Sequence, residues 1–256
     1  MSVNLRNWTY YFKAKSHLLL HSNELYTWYK TVLLAAWPKG VKSALLAYRK
    51  HISKSIGSIE IEQSQNFGAP SKKMKPRKSI NELLSFTRVS MRYAKVLHNI
   101  ISTFNEPVSI LELGTSTGFS AKAMAMHPLC KQLDSVDANE QLIECIKPFV
   151  SSNTHLHTGL FNAIVPEMCL RNHYDMVFVD GDHTGESIWS TYQFFKNTLN
   201  RPRYLIFDDI NWSTDMLLAW MKIADDAQEF YTIETFRMGI VWFKPQQRKV
   251  HLKAFY

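Results

Sequence analysis

Cysteine is scarce in this chain of 256 residues. Its three cysteines, Cys130, Cys145 and Cys169, are odd in number and form no C-x-x-C pair. This pattern argues against the disulfide framework that stabilises small secreted domains. We therefore expect the cysteines to be reduced, buried thiols in a cytoplasmic protein.

A long apolar run is also absent. The nearest approach to one, from Thr31 to Trp37, is far shorter than the ~18 residues that a membrane span needs. Arg6, Lys13 and Lys15 interrupt any apolar core of a signal peptide near the first residue. The composition, with 46% hydrophobic and 20% charged residues, is that of a globular chain. Its length suits one large α/β domain with an extension.

The charge is unbalanced, with a formal net charge of +8. A basic surface attracts nucleic acid, anionic lipid or an acidic substrate, and net charge alone does not choose between them. Part of the charge lies in a cluster from Lys72 to Lys78, and a second group runs from Lys39 to Lys54. We favour a solvated loop and a solvated helix face for these two groups.

The pattern along the chain changes near residue 80. Residues 1–55 predict two or three helices with many aromatic residues, and residues 56–79 predict a loop or lid, because they contain glycine and proline with little periodicity. From Ile80 a helix that extends to about Phe104 leads into apolar strands that alternate with helices. The chain ends in two strands that form an antiparallel hairpin. This alternation predicts a parallel sheet with helices on both faces. We therefore divide the chain into a helical extension with a lid loop, 1–79, and an α/β domain, 80–256.

Two of the nine glycines stand in one turn. The apolar strand Ile110–Leu113 runs into Gly114-Thr115-Ser116-Thr117-Gly118 and then into a helix. Gly114 lacks a Cβ where the backbone passes close to a ligand, and Gly118 lets the next helix pack closely. The spacing differs from the G-x-G-x-x-G that holds a pyrophosphate. It suits a cofactor without phosphate, such as S-adenosylmethionine (SAM), whose amino-acid end needs backbone N–H groups and an acceptor for its ammonium.

Two carboxylates support this interpretation. Asp137 ends the next strand, where it can accept hydrogen bonds from both ribose hydroxyls. Glu112 stands just before the glycine turn. The alternative is a generic α/β turn with Asp137 as a helix N-cap. We favour SAM because the glycine spacing, Glu112 and Asp137 occur together.

These motifs resemble those of a known family. ILELGTSTGFSA and LDSVDANEQL resemble the first two motifs of class I SAM-dependent methyltransferases, and the resemblance covers residues 80–256. It implies a Rossmann-like fold with a seven-stranded, mostly parallel sheet and a reversed last strand. Gly159 stands where the adenine pocket is expected, although the surrounding residues depart from the usual pattern. We predict SAM contacts from Glu112, Gly114, Thr115, Ser116, Gly118, Ser120, Asp137, Gly159 and Asp180.

Acidic residues follow two neighbouring strands of the predicted sheet. Asp180 ends the strand Met176–Val179, and Asp208 ends the strand Tyr204–Phe207. Because the carboxyl ends of parallel strands meet at one edge, Asp180, Asp208 and Asp209 could supply oxygen ligands to one Mg²⁺. Such an ion lowers the pKa of a bound hydroxyl. The alternative is that these carboxylates cap helices.

The two loops after these strands, VDGDH and FDDINW, resemble those of metal-dependent O-methyltransferases of the catechol, caffeoyl-CoA and bacterial sugar types. The resemblance implies the same three metal ligands, with Asp182 as the general base. His183 is the alternative base. Asp209 stands where the plant and animal enzymes carry an amide, so the chain is closer to the bacterial branch.

Three functions remain open at this stage. We favour Mg²⁺-assisted O-methylation of a small hydroxylated molecule. A nucleic-acid methyltransferase fits the basic charge, but base N-methylases usually carry a D/N-P-P-aromatic loop where this chain has Asp180-Gly181-Asp182-His183. A catalytically idle SAM-binding protein is the third. Residues before 80 suit a lid over the site or a homodimer interface made by Trp8, Tyr11 and Trp28.

Overall fold

A computed structural model describes residues 10–62, 77–86, 91–227, 229–246 and 249–256. Most of the predicted lid loop falls in 63–76, outside the described residues, together with Lys72, Lys73 and Lys75 of the basic cluster. Trp8 also lies outside them. The lid therefore stays a prediction.

The described part begins with helices and then alternates strands with helices. Short 3-10 turns at His17–Leu19 and Lys147–Phe149 and a π-helical turn at Lys30–Leu34 are further helical elements. The helices are α1 (Asn23–Tyr29), α2 (Val41–Ile56), α3 (Ile80–Phe86), α4 (Met91–Ile101), α5 (Phe119–Ala125), α6 (Glu140–Ile146), α7 (Phe161–Arg171), α8 (Gly185–Asn197) and α9 (Thr214–Asp226). The strands are β1 (Glu60–Glu62), β2 (Arg77–Ser79), β3 (Val108–Leu113), β4 (Cys130–Asp137), β5 (Thr154–Thr158), β6 (Met176–Val179), β7 (Tyr204–Phe207), β8 (Tyr231–Glu234), β9 (Gly239–Trp242) and β10 (Val250–Lys253).

The central sheet has eight strands in the order β10-β8-β9-β7-β6-β3-β4-β5. Strand β9 is antiparallel to β7 and β8, and the other neighbours are parallel. The prediction of a Rossmann-like, mostly parallel α/β sheet with a closing antiparallel hairpin is confirmed. Because the order reverses between β4 and β6 around β3, the carboxyl ends of these strands form the crevice where ligands bind in such sheets.

The predicted number of strands is wrong by one. Strand β10 adds an eighth member, so the reversed strand is not the last one. Val250–Lys253 pairs in parallel with β8, and Leu252 is buried beside that pairing. The pairing satisfies backbone groups that β8 would otherwise expose at the edge of the sheet.

The predicted loop and helix boundaries near residue 80 also change. Strands β1 and β2 pair as a two-stranded antiparallel ribbon, so both ends of the predicted loop at 56–79 are regular structure. An Arg77–Glu62 salt bridge of 2.6 Å joins the two strands. The single helix predicted from Ile80 to Phe104 is two helices, α3 and α4, with residues 87–90 outside the described part.

The N-terminal helices belong to the core of the molecule. Trp28, Tyr29 and Val32 pack in the same apolar cluster as residues of the central strands. A second cluster fills the other face of the sheet, and a third joins α2 to α5 and α6. Trp28 is therefore buried and does not form part of an exposed dimer interface, since the tertiary packing uses it as a core residue.

The structure also describes the apolar helices and the cysteines. No helix within the described ranges is long and apolar enough to cross a membrane. All three cysteines are free thiols. Cys130 is buried as expected, whereas Cys145 and Cys169 are partly exposed, because each lies on a helix that covers the sheet.

Candidate functional site

The glycine turn and the first acidic loop touch at the carboxyl edge of the sheet. The N–H of Asp180 donates to the carbonyl of Leu113, at 2.8 Å, so the two loops leave the sheet side by side. Gly114 has a φ of +109°, and a Cβ at this position would lie 2.4 Å from the carbonyl oxygen of Asp180. Only glycine fits both the left-handed backbone and this close approach.

Asp137 organises the glycine turn from the neighbouring strand. Its carboxylate accepts hydrogen bonds from the backbone N–H groups of Ser116 and Asn139, both at 2.9 Å. Asn139 caps helix α6, with its side chain accepting from the N–H of Leu142. The alternative interpretation of Asp137 as the helix N-cap is therefore wrong. Burial raises the pKa of Asp137, and the backbone hydrogen bonds oppose that rise.

A buried polar network lies beneath the turn. Glu112 is fully buried, and one of its carboxylate oxygens accepts from the hydroxyl of Ser135. Ser120 also hydrogen-bonds Glu112, and Thr115 pairs with Ser135 at 2.7 Å. Oε1 of Glu112 has no hydrogen-bond partner among the described residues. An unpartnered carboxylate oxygen beside the turn fits the ammonium group of SAM, because it offers an acceptor that the protein itself leaves open.

The remaining predicted SAM residues surround this network. Gly118 has a φ of +69° and directly precedes helix α5, and a Cβ at this position would lie 2.7 Å from the hydroxyl of Tyr48. The N–H of Gly159 donates to the carbonyl of Asp137 at 3.0 Å, which places the loop after β5 beside the turn. Tyr48 donates to the carbonyl of Thr117, so the N-terminal extension contacts the turn directly.

The acidic loops bring together three side chains, those of Asp180, His183 and Asp209, which we call the acidic group. Ligand atoms of Asp180, His183 and Asp209 all lie within 4.8 Å of one another. Asp182 lies between two of them in the chain and is exposed, with its carboxylate 3.4 Å from the hydroxyl of Thr184. His183, predicted as an alternative base, thus belongs to the group instead of Asp208.

Asp208, predicted as a metal ligand, faces Arg237. Nε and a terminal nitrogen of Arg237 donate to the two oxygens of Asp208, at 2.7 and 2.6 Å. Nε of Arg237 also lies 3.1 Å from Asp209. This bidentate pairing engages both oxygens of a carboxylate that is completely buried.

The ionisation of the site reflects burial and like charge. Burial raises the pKa of Asp180 well above its usual range, and the neighbouring Asp208 and Asp209 raise it further. Burial and the Asp208 carboxylate raise the pKa of Asp209 to about 7, against the opposing effect of Arg237. Burial lowers the pKa of His183, so the ring is neutral at pH 7 and offers a lone pair.

Helix capping does not explain these carboxylates. Thr184 caps helix α8, with its hydroxyl accepting from the N–H of Ser187. Asp215 accepts from the N–H of Gly185 at 2.5 Å and completes that cap. Ser213 caps α9. The capping alternative is wrong because other side chains satisfy these helix ends.

Backbone strain is concentrated at the same place. Among the described residues, the non-glycine residues with positive φ are Ser116, Asp182 and Asp209, at 45°, 49° and 51°. Residues other than glycine rarely adopt a positive φ. Such strain gathers at binding and catalytic sites, where the surrounding structure enforces it.

Several residues of the site escaped the sequence analysis. Trp212 is 60% exposed, and its ring centroid lies 6.3 Å from that of His183. Phe236 packs against Tyr11, which places the N-terminal segment next to Arg237. The position of Arg237 could have been predicted from the topology. It stands in the turn of the closing hairpin, and a turn that follows a strand parallel to its sheet lies at the carboxyl edge of that sheet.

Comparison with known proteins agrees with this arrangement. Residues 111–210 match the model of a protein family described as a methyltransferase domain. An uncharacterized protein of Acanthamoeba polyphaga mimivirus is 28% identical over 160 residues, which are 56% of this chain and 72% of the relative. The span that matches the family model includes the glycine turn and the acidic group.

Two solved structures were also found to be similar. The O-methyltransferase TomG from Streptomyces achromogenes, in complex with SAM, has a TM-score of 0.48 at 13% identity, over 86% of this chain and 96% of that one. Fibrillarin from Aeropyrum pernix, with natively bound SAM, has a TM-score of 0.43 at 14% identity, over 53% of this chain and 66% of that one.

Proposed function

We propose that this chain is a SAM-dependent O-methyltransferase that uses a divalent cation to methylate a hydroxyl group of a small molecule. One observation carries the proposal. The glycine turn and the acidic group meet where the Cα of Gly114 lies against the backbone of Asp180. A cofactor held by the turn and an acceptor held by the acidic group would therefore be neighbours, as a methyl transfer requires.

The turn supplies the groups that SAM needs. Asp137 can accept hydrogen bonds from ribose hydroxyls with the lone pairs that its backbone bonds leave free, and Oε1 of Glu112 can accept from the ammonium. Gly159 lines the side where we predict the adenine. Preorganisation comes from the buried network, because Ser120 and Ser135 hold Glu112 in place.

The acidic group fits a divalent cation. Its ligand atoms are close enough for one ion. Arg237 neutralises only one of the negative charges that Asp180, Asp208 and Asp209 carry when ionised, so the remaining carboxylates repel each other unless a further cation lies among them. SAM supplies an electrophilic methyl group, and a bound cation would lower the pKa of an acceptor hydroxyl. Asp182 is exposed next to the group and is the residue that we expect to take the hydroxyl proton.

SAM binding tests the first part of the proposal. We expect Asp137→Ala to weaken SAM binding by about tenfold or more, because charge-assisted hydrogen bonds are worth about 1.5–3 kcal/mol. Isothermal calorimetry on the folded variant measures this. Asp225→Ala, which removes an exposed carboxylate paired with Lys249, serves as the control and should bind as wild type does. Unchanged SAM affinity in Asp137→Ala would sink the cofactor assignment.

Metal dependence tests the second part. We expect methyl transfer to a panel of catechols and sugar diols to fall in excess EDTA and to return when a divalent cation is restored. SAM affinity, measured in parallel, should change little, since the turn does not use the cation. Full turnover in EDTA would refute cation assistance and leave the SAM assignment intact.

A further inference from the structure

Arg237 stands at the acidic group because of the reversed strand. It lies in the turn between β8 and β9, and β9 inserts between β7 and β8 with Gly239 opposite Phe207. The N–H of Ile210 donates to the carbonyl of Arg237 at 3.0 Å, which joins this turn to the loop after β7. The position of the guanidinium is thus a consequence of sheet topology.

Contacts with neighbouring groups restrain the guanidinium of Arg237. Asn211 donates to the carbonyl of Phe236 at 2.7 Å and braces the turn. The ring of Tyr93 lies 5.7 Å from the guanidinium carbon. The Arg237 side chain is 23% exposed, and the Asp208 carboxylate that it grips is not exposed at all. Loss of Arg237 would leave the buried charge of Asp208 uncompensated.

This pairing changes which atoms a metal can reach. Arg237 holds both oxygens of Asp208 at 2.6 and 2.7 Å, whereas its contacts with the oxygens of Asp209 are longer, at 3.1 and 3.5 Å. The side chains that a metal can reach most readily are therefore Asp180, His183 and Asp209. When all three are ionised, the carboxylates of Asp180, Asp208 and Asp209 together with the guanidinium of Arg237 leave a surplus of two negative charges, which one divalent ion would balance. The available donors are two carboxylates and an imidazole, instead of three carboxylates.

We propose that Arg237 sets the metal preference of the site: by keeping Asp208 out of the ligand set, it leaves an oxygen–nitrogen site that favours Mn²⁺ over Mg²⁺. Mg²⁺ prefers an octahedral shell of oxygen ligands. Mn²⁺ shares the octahedral preference but, as a transition-metal ion, accepts an imidazole nitrogen more readily than Mg²⁺ does. Arg237 is a positioning residue in this account, since it acts through Asp208. The proposal rests on the proposed function only in taking the acidic group as a cation site.

The test is direct ion binding, measured by calorimetry on the full chain with MnCl₂ and with MgCl₂. We expect wild type to bind Mn²⁺ at least about tenfold more tightly than Mg²⁺. His183→Ala should lose about tenfold or more in Mn²⁺ affinity and much less in Mg²⁺ affinity. Arg237→Gln should free Asp208 and raise Mg²⁺ affinity by about tenfold.

Two further variants make the result specific. Arg237→Gln combined with Asp208→Asn should return Mg²⁺ affinity toward the wild-type value, because the freed ligand is then lost. Arg203→Gln is the control, because it removes one positive charge far from the site. Arg203 stacks on Phe104, and its replacement should change neither Mn²⁺ nor Mg²⁺ affinity. Thermal unfolding and SAM affinity verify that each variant is folded. If Arg237→Gln does not fold, Arg237→Lys and the wild-type preference provide the test.

The outcomes separate this inference from the proposed function. Equal binding of Mn²⁺ and Mg²⁺ by wild type, or Mn²⁺ affinity unchanged in His183→Ala, would overturn the inference. So would Mg²⁺ affinity unchanged in Arg237→Gln. Binding of neither ion by wild type would overturn both the inference and the proposed cation assistance, whereas retained SAM binding would leave the SAM assignment intact. Loss of SAM binding in wild type would instead count against the methyltransferase itself.

Discussion

Glu112 is a carboxyl group at the centre of the buried network under the glycine turn. Burial raises its pKa from an ordinary value of 4.5 to about 7, although hydrogen bonds from Ser120 and Ser135 oppose the rise. The folded chain therefore holds this proton more tightly than the unfolded chain does. The resulting stabilisation is complete below about pH 4.5 and is lost as the pH rises through about 7.

This predicts a pH-dependent effect of Glu112→Gln. The amide does not ionise, so the free energy of unfolding of the variant, relative to wild type, should rise by about 2–3 kcal/mol between about pH 5 and about pH 8. Urea unfolding without SAM measures it. Glu144→Gln, which changes an exposed carboxylate paired with Lys147, should show no such trend. Parallel stability profiles for Glu112→Gln and wild type would contradict the buried titration.

Helix α2 and strand β1 connect the N-terminal extension to the cofactor side of the sheet. The hydroxyl of Tyr48 donates to the carbonyl of Thr117 at 3.0 Å. Strand β1 reaches the loop after β4, where Asn139 donates to the carbonyl of Glu62 at 2.8 Å. These elements flank the turn and Asp137, so residues before 80 help to shape the predicted SAM site.

We expect Tyr48→Phe to loosen this connection. The variant keeps the buried ring and leaves the carbonyl of Thr117 without its partner, which should cost about 1–3 kcal/mol of stability. SAM affinity should fall a few-fold, because the turn is less restrained. Chemical unfolding and calorimetry measure the two effects. Tyr26→Phe, on the more exposed side of α1, is the matched control. Wild-type values of both quantities in Tyr48→Phe would show that α2 does not restrain the turn.

Over the whole molecule, the two ends of the described chain are joined. The hydroxyl of Tyr10 donates to the carbonyls of Glu234 and Ala254, and the N–H of Lys15 donates to the carbonyl of Lys253 at 2.8 Å. Tyr29 donates to the carbonyl of Phe255. The N-terminal segment therefore lies along strand β10 and closes the edge of the sheet.

The burial of β10 gives a test of this closure. Leu252 is 3% exposed and packs in the same cluster as Tyr29, so Leu252→Ala should cost about 2–5 kcal/mol of stability. Leu218→Ala, in a helix and 59% exposed, should cost within about 0.5 kcal/mol. Guanidinium unfolding midpoints compare the two. Equal costs would mean that β10 is peripheral to the core.

The parts of this protein that could be predicted from the sequence are those encoded locally. Alternating apolar strands and helices predicted the parallel sheet, and the glycine turn with Asp137 predicted where two loops of the site lie. The additional strand β10 could not be predicted, because its short run becomes a strand only by pairing with the free edge of β8. Likewise, Trp28 resembled an interface residue until its burial placed it in the core.

By itself, the sequence determined the hydrophobic pattern that makes each segment a strand or a helix. It also determined which glycines permit left-handed backbone and which carboxylates stand at the ends of two strands. Tertiary structure decided which of those carboxylates face one another. Arg237 is 29 residues from Asp208, and the pair forms because β9 runs antiparallel between β7 and β8. The hydrogen bonds and charges that distinguish Asp208 from Asp209 act over a few ångströms, and only the folded sheet brings groups so far apart in the chain within that range.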